Sequence, residues 1–289
     1  MIAPAWALLA ATAAIALGDF VNRKVYGWLP EDPPRPGRKQ HLRPMPLAGV
    51  LVVPAMLPWL IADRAFLPLL AVAVAAAIGF VDDRRKESLD QREGEPDDGG
   101  LDWRIKAVGL FAAAGLCASS HVDLTAAPGR WALACGLAFV LINATNFLDN
   151  TDGVGTGLAA STLLWVGLAT PSATWLSAAG FAALALLPWN WPAPRLFLGD
   201  GGAYALGVAV ATALGGAVHG DWTLLLAAAV PLTDFTQVVI MRVCLGLPPW
   251  VGDRRHLTHI AQNLGVPRVL VMPLFVVLAG GAWLLRPDA

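Results

Sequence analysis

Residues 143–157 read NATNFLDNTDGVGTG and lie between two apolar runs, 131–142 and 154–170. The stretch sets Asn143, Asn146, Asp149 and Asp152 three residues apart. On a continuing helix each step of three turns a side chain back by about 60°. Four such residues would spread over half the cylinder, so no single helical face could collect them. Gly153, Gly155 and Gly157 supply the freedom to break the helix and fold the backbone around something small, such as a cation or a phosphate. A plainer reading stands beside this one, in which the stretch is a polar loop whose Asn and Asp cap ordinary helices. What separates the two is the company the stretch keeps on its side of a membrane.

The membrane follows from composition. Of 289 residues, 56% are hydrophobic and 14% charged, the mean hydropathy is +0.59, and the apolar residues come in long runs. That pattern predicts an all-α, polytopic integral membrane protein. A helix needs about 20 apolar residues to cross about 30 Å of hydrocarbon. Ten runs approach this length, with cores near 2–20, 45–61, 66–81, 107–119, 131–147, 154–170, 173–189, 203–218, 222–241 and 268–285. The first has no basic n-region and no small-residue cleavage site followed by a soluble domain, so it reads as a retained span. The expected organisation is one transmembrane domain over 1–289, with polar loops at about 22–44, 82–106, 143–153, 190–202 and 242–267.

Basic residues are retained on the cytoplasmic side, and their distribution is lopsided. Seventeen of the 20 Lys and Arg fall in one set of alternate loops, leaving Arg64, Arg130 and Arg286 in the other. Both termini are therefore expected outside, with five loops in the cytoplasm. A net charge of −1 carries no nucleic-acid footprint. Cys117, Cys135 and Cys244 stand singly in or at the ends of apolar runs and read as small core residues. Many of the 12 Trp fall near run ends, as an interfacial belt requires.

The expected cytoplasmic loops carry the remaining polar groups. The first, basic and Pro-rich, ends HLRPMPLAGV, where His41 precedes a Pro- and Gly-fixed turn at the second run. The third run ends FVDDRRK, so Asp82 and Asp83 stand where apolar sequence stops. They can hold a divalent cation, or they can be solvated and neutralised by Arg84, Arg85 and Lys86. Lys106, near the start of the fourth run, can meet a phosphate or snorkel to lipid headgroups. Asp200, in FLGDGGAYALG, either presents a carboxylate on a flexible turn or caps the eighth run. Asp234 lies about 12 Å inside the ninth run, a depth at which an ionisable group is a functional candidate unless it serves a structural hydrogen bond. His256 and His259 share a helical face beside Arg254. Zinc would require a third ligand, and phosphate or nucleotide contact fits the pair equally well. All these clusters fall on the side fixed independently by the basic residues. Carboxylates and amides for a divalent ion, with cations for phosphates, suggest phosphoryl transfer onto a lipid at the inner membrane face.

The motifs together resemble a known family. NATNFLDNTDGVGTG resembles the NxxNxxDGxDGLxxG signature of the polyprenyl-phosphate N-acetylhexosamine-1-phosphate transferases. FVDDRRK, FLGDGGAYALG and GDRRHLTHI resemble the family's DD, FxGDxGSxxLG and DRxHLHH motifs, and HLRPMPLAGV its cytoplasmic entrance. The matches keep family order across residues 41–259. The resemblance implies transfer of a sugar 1-phosphate from a UDP-amino sugar, most closely UDP-GlcNAc, to polyprenyl phosphate with release of UMP. It implies Mg²⁺ as cofactor, with Mn²⁺ as a substitute, and a bacterial inner-membrane location with the site on the cytoplasmic face. Carried over by motif, Asn146 and Asp200 match the metal ligands, while Asp82, Asp83, Asp149 and Asp152 match the catalytic acids. Lys106 matches the phosphate-binding lysine, His256 and His259 the nucleotide-side histidines, and His41, Asn143 and Arg254 further substrate-contact positions. A homodimer is left open. The chain departs from the pattern at Ala48, Asn150 and Thr258, and residues 201–203 lack the usual Ser. Rival readings are the peptidoglycan branch, whose donor is UDP-MurNAc-pentapeptide, an ion-coupled transporter using Asp234 and the central acids as an ion path, and a silent relative. The His-Leu-Thr-His stretch and the absence of TPTMGG at 44–49 argue against the first rival.

Overall fold

The computed structural model describes residues 3–25, 28–32, 44–89, 100–250, 252 and 254–287, with the side chains of 87–89 set aside. Eleven α-helices occur among them: α1 (Trp6–Lys24), α2 (Val52–Ala62), α3 (Phe66–Leu89), α4 (Trp103–Ser119), α5 (Pro128–Phe147), α6 (Val154–Ala169), α7 (Thr174–Asn190), α8 (Gly199–Leu214), α9 (Ala229–Cys244), α10 (Leu257–Asn263) and α11 (Arg268–Leu284). Each of the ten apolar runs carries helix, because hydrocarbon offers no partner for a backbone N–H or C=O outside one. Four helical stretches are long and apolar enough to cross a membrane: Phe66–Lys86, Pro128–Phe147, Gly199–His219 and Trp222–Cys244. Extended structure among the described residues is confined to a two-residue antiparallel pair, Glu31–Asp32 with Met45–Pro46, and a bridge from Leu47 to Phe197.

The helix α8 forms the axis of the bundle. Within its span 94% of the residues are buried, against 28% for the span ending α9. A helix enclosed on every side needs small residues all round so that neighbouring backbones can approach, and GDGGAYALGVAVATAL supplies them. The helices α3, α5 and α6 pack directly on it. A tight approach is at Gly79 of α3, where an added Cβ would overlap the Asp200–Gly201 peptide. A second apolar cluster seats the chain between α5 and α6, with Leu148 and Val154 packed against Val271, Met272 and Phe275 of α11.

The helices reach further into the expected polar loops than the apolar boundaries indicate. The helix α3 continues to Leu89, since Arg84, Arg85, Lys86 and Glu87 are good helix formers and basic residues suit the negative end of the helix dipole. Asp82 and Asp83 thus lie on a rigid helix rather than in a loop over 82–106. Asn143 and Asn146 lie on the last turns of α5, which shortens the polar turn to 148–153. Asp200 lies in the first turn of α8, and the expected loop 242–267 contains α10.

The contact at Gly79 yields a sign test. Replacing a helical glycine by alanine should stabilise by about 0.5–1 kcal/mol through backbone entropy, and Gly136 of α5, whose added Cβ meets nothing within 4 Å, should show that gain. Gly79→Ala should instead lower the thermal unfolding midpoint in detergent, because overpacking costs about 1–3 kcal/mol.

Candidate active site

Asp82, Asp83 and Lys86 project from the last turns of α3 toward the start of α8. Asp82 is wholly buried. One of its oxygens, Oδ2, receives Lys86 at 2.8 Å and Lys106 of α4 at 3.2 Å. The other, Oδ1, accepts the Leu101 amide at 2.6 Å, pinning the chain that leads into α4. Lys86 also reaches Asp200 Oδ2 at 2.8 Å, and the carboxyls of Asp82 and Asp200 lie within hydrogen-bond reach of each other. Asp83 accepts the backbone amides of Asp200 at 3.1 Å and Gly201 at 3.0 Å. A helix start leaves such amides without intrahelical partners, so Asp83 caps α8 from a neighbouring helix. This replaces the reading of Asp200 as the cap and leaves the Asp200 carboxylate to the lysine.

The stretch 143–157 enters from the other side. Asn143 donates its amide to Phe139 O at 2.8 Å, back along its own helix. Asn146 faces Tyr204, which is one turn beyond Asp200 on α8. The helix stops at Phe147, and Gly153 opens α6 at φ 71°, a conformation that other residues rarely adopt. Within the turn, Asp149 faces the Gly199 amide at the same helix start, beside the two amides that Asp83 accepts. Asp149 is half-buried. Burial is the largest influence raising its carboxyl well above the usual carboxylate range, and the charges of Asp200 and Asp83 push the same way. Asp152 is drawn elsewhere, into a 2.6 Å ion pair with Arg268 at the start of α11.

The two histidines form a separate group. His256 is 5% exposed, with Nδ1 2.8 Å from Asp234 Oδ2 and its ring edge-on to Phe147, centroids 5.5 Å apart. The His259 ring centroid lies 6.3 Å from that of His256, and Arg254 is exposed. His41 lies outside the described residues. Among the described residues no three His, Cys, Asp or Glu are grouped to hold a metal ion. Asn146 and Asp200 offer hard oxygen donors in small number. Such a set suits an ion that keeps waters and takes phosphate oxygens, as Mg²⁺ does, and not one that needs an all-protein cage.

Two participants were passed over in the sequence. Lys86 was grouped with Arg84 and Arg85 as a neutraliser, although its i,i+4 spacing from Asp82 puts the two on one helical face. Tyr204 carried the same signal relative to Asp200.

The pattern of glycosyl transferase family 4 matches residues 65–215, just over half of the chain, and covers α3 through α8 with the Asp82, Asn146 and Asp200 motifs. The chain belongs to glycosyl transferase family 4. Among curated relatives, the undecaprenyl-phosphate alpha-N-acetylglucosaminyl 1-phosphate transferase of Escherichia coli is 27% identical over 79% of this chain and 68% of its own length. The Thermotoga maritima protein of the same description is 28% identical over 46% of this chain and 43% of its own. The phospho-N-acetylmuramoyl-pentapeptide-transferase of Thermosynechococcus vestitus is 30% identical over 62% of this chain and 51% of its own. The match to the Thermotoga relative thus spans less than half of that protein's length.

In this member of family 4 the two departures at Asn150 and Thr258 prove to be one contact. The Thr258 hydroxyl, fully buried, donates to Asn150 Oδ1, while the Asn150 amide holds Phe147 O. Gln262 adds a 3.4 Å contact to the Thr151 hydroxyl. The turn 148–153 is thereby joined to α10.

Asn150→Ala and Thr258→Val should each destabilise by about 1 kcal/mol. The double variant should cost less than the sum, by about 0.5–1 kcal/mol in a thermal-unfolding cycle. Asp149 makes a pH-dependent case. Its folded-state affinity for a proton is raised, so its ionisation opposes folding above the ordinary carboxylate range and ceases to do so below about pH 4. In chelator, Asp149→Asn should therefore unfold at a higher temperature than the wild type at pH 7, with the gap closing as the pH falls toward 4.

Proposed function

We propose that this protein transfers a sugar 1-phosphate from a UDP-N-acetylamino sugar, UDP-GlcNAc foremost, to polyprenyl phosphate, releasing UMP and forming a lipid-linked pyrophosphoryl sugar. The proposal includes one domain of ten spans with both termini outside, in a bacterial inner membrane, and a reaction at the cytoplasmic face. The observation that carries it is the convergence of Asp82, Asp83, Asp149, Asp200, Asn146, Lys86 and Lys106 on the first turn of α8, in a chain whose family and relatives transfer sugar phosphates to lipid phosphates.

In this reading Asn146 and Asp200 hold Mg²⁺, or Mn²⁺ in its place. Bound there, the ion supplies Lewis-acid stabilisation of the charge that develops on the donor's pyrophosphate. Lys106 and Lys86 meet phosphate oxygens, and their present partner Asp82 keeps both ammonium groups oriented. An oxygen of the lipid phosphate attacks the phosphorus that bears the sugar. The new P–O bond forms as the bond to UMP breaks, and UMP departs with the electron pair. A phosphate monoester with a second pKa of about 6 is already largely dianionic at neutral pH, so Asp82 and Asp83 act by placing cations and the α8 amides and need not remove a proton. Asp152, tied to Arg268, supports the turn from behind. The T. vestitus relative keeps UDP-MurNAc-pentapeptide as the second donor to test. The transporter reading loses its anchor, because Asp234 is already engaged by His256 and the Leu257 amide.

Incubation of membranes containing the protein with radiolabelled UDP-GlcNAc, undecaprenyl phosphate and Mg²⁺ should release UMP and label an extractable lipid. Chelation should stop both, and Asp200→Asn should lower the rate by at least about 100-fold. Preference for UDP-MurNAc-pentapeptide would move the protein to the peptidoglycan branch. No product with any UDP-amino sugar, together with an Asp200→Asn protein indistinguishable from wild type, would sink the transferase reading.

A further inference from the structure

Asp234 is fully buried on α9, inside the membrane-crossing stretch Trp222–Cys244. A carboxylate at such a position is costly unless hydrogen-bond donors surround it, and two donors do. The carboxylate Oδ2 lies 2.8 Å from His256 Nδ1, and Oδ1 accepts the Leu257 amide at 2.6 Å. Those donors open α10, so one carboxylate fixes both the ring and the first backbone amide of the helix that carries it. The ring is also braced edge-on by Phe147, which Arg242 covers from 5.1 Å and Phe235 meets at 5.1 Å. From the opposite side the helix is held by Thr258 on Asn150.

We infer that Asp234 is a positioning residue, which fixes His256 with a proton on Nδ1 and so reserves Nε2 for the nucleotide part of the donor. A carboxylate can only accept, so the nitrogen facing it must donate. The identity of the second nitrogen's partner is then set by the first hydrogen bond. The inference rests on the transferase reading for the ligand alone; the tautomer and its dependence on Asp234 stand on the geometry. Asparagine at 234 cannot substitute, because it keeps an acceptor at only one of the two carboxylate-oxygen positions: with its oxygen on the Leu257 amide, its NH2 faces Nδ1 and favours the Nε2–H tautomer.

Two measurements test this. With imidazole ¹⁵N labelling of the five histidines in detergent at mildly alkaline pH, the signal lost in His256→Gln should report a proton on Nδ1 in the wild type. In Asp234→Asn it should shift toward Nε2–H, and Asp234→Glu should restore part of the Nδ1–H population. A wild-type His256 protonated only on Nε2 overturns the inference whatever the enzyme's substrate. In kinetics, Asp234→Asn should lower kcat/KM for the UDP-sugar by about 10–100-fold and leave the KM for polyprenyl phosphate within about twofold. The Asp234→Asn/His256→Gln double variant should be no worse than His256→Gln alone. Additive losses, or equal losses toward both substrates with a lowered melting temperature, would reduce Asp234 to a purely structural group. A wild-type enzyme without activity but with His256 on the Nδ1–H tautomer would instead fault the transferase reading and leave the positioning role intact.

Discussion

Four carboxyls, those of Asp82, Asp83, Asp149 and Asp200, crowd the first turn of α8, and the surrounding fold is what allows them to share that space. Like charges withdrawn from water repel strongly. Three devices answer the repulsion here. Backbone amides of Asp200 and Gly201 donate to Asp83, using the positive end of the α8 dipole. Lys86 and Lys106 neutralise Asp82 and Asp200. Asp149 takes up a proton more readily than an ordinary carboxyl. The first device works only if α3 lies close against α8, which is why Gly79 meets the Asp200–Gly201 peptide without a Cβ between them.

The same logic of shared anchors ties α10 to the site. Its histidines would otherwise sit on a seven-residue helix with little intrinsic stability. Asp234 holds its start from the membrane side and Asn150 holds Thr258 from the turn. Asn150 is also bound to Phe147 O at the end of α5, so the turn that follows Asn146 and the helix carrying His256 move as one piece. A change at either departure from the family pattern would be felt at the other, which is a physical reason for the two to differ together.

Much of this was legible in the residues. Apolar runs marked ten of the eleven described α-helices, because backbone groups in hydrocarbon leave no alternative to helix. The acids at 82, 83, 149 and 200 could be assigned to one side from the basic residues alone. Helix ends were harder to read, since hydropathy marks where the bilayer stops and not where the hydrogen-bond ladder stops. Thus Asp82 and Asp83 looked like loop residues although α3 runs on to Leu89. Pairings across the bundle, such as Asp83 with the α8 amides or Asp234 with His256, were not legible, because residues more than a hundred or some twenty positions apart meet only through tertiary packing. Lys86 is the instructive middle case, with its helical spacing from Asp82 in plain view and its bond to Asp200 hidden.

The charge balance of the cluster bears on the proposed chemistry. Four carboxyls face two lysines, and both ammonium groups are already matched by Asp82 and Asp200. Into this setting the transferase reading brings a pyrophosphate and a phosphate monoester, each of them anionic. At the few-ångström separations that phosphoryl transfer requires, these anions would meet carboxylates at close range, and two partly exposed lysines already in ion pairs return little. The deficit calls for more positive charge at the Asp200 end, where Lys86 now bridges Asp82 and Asp200. A divalent cation on Asp200 and Asn146 would supply it, and it would release Lys86 from Asp200 to face a phosphate. The Lys86–Asp200 ion pair is then the contact that would yield on binding, while the amide bonds to Asp83 would stay in place as the rigid part of the site.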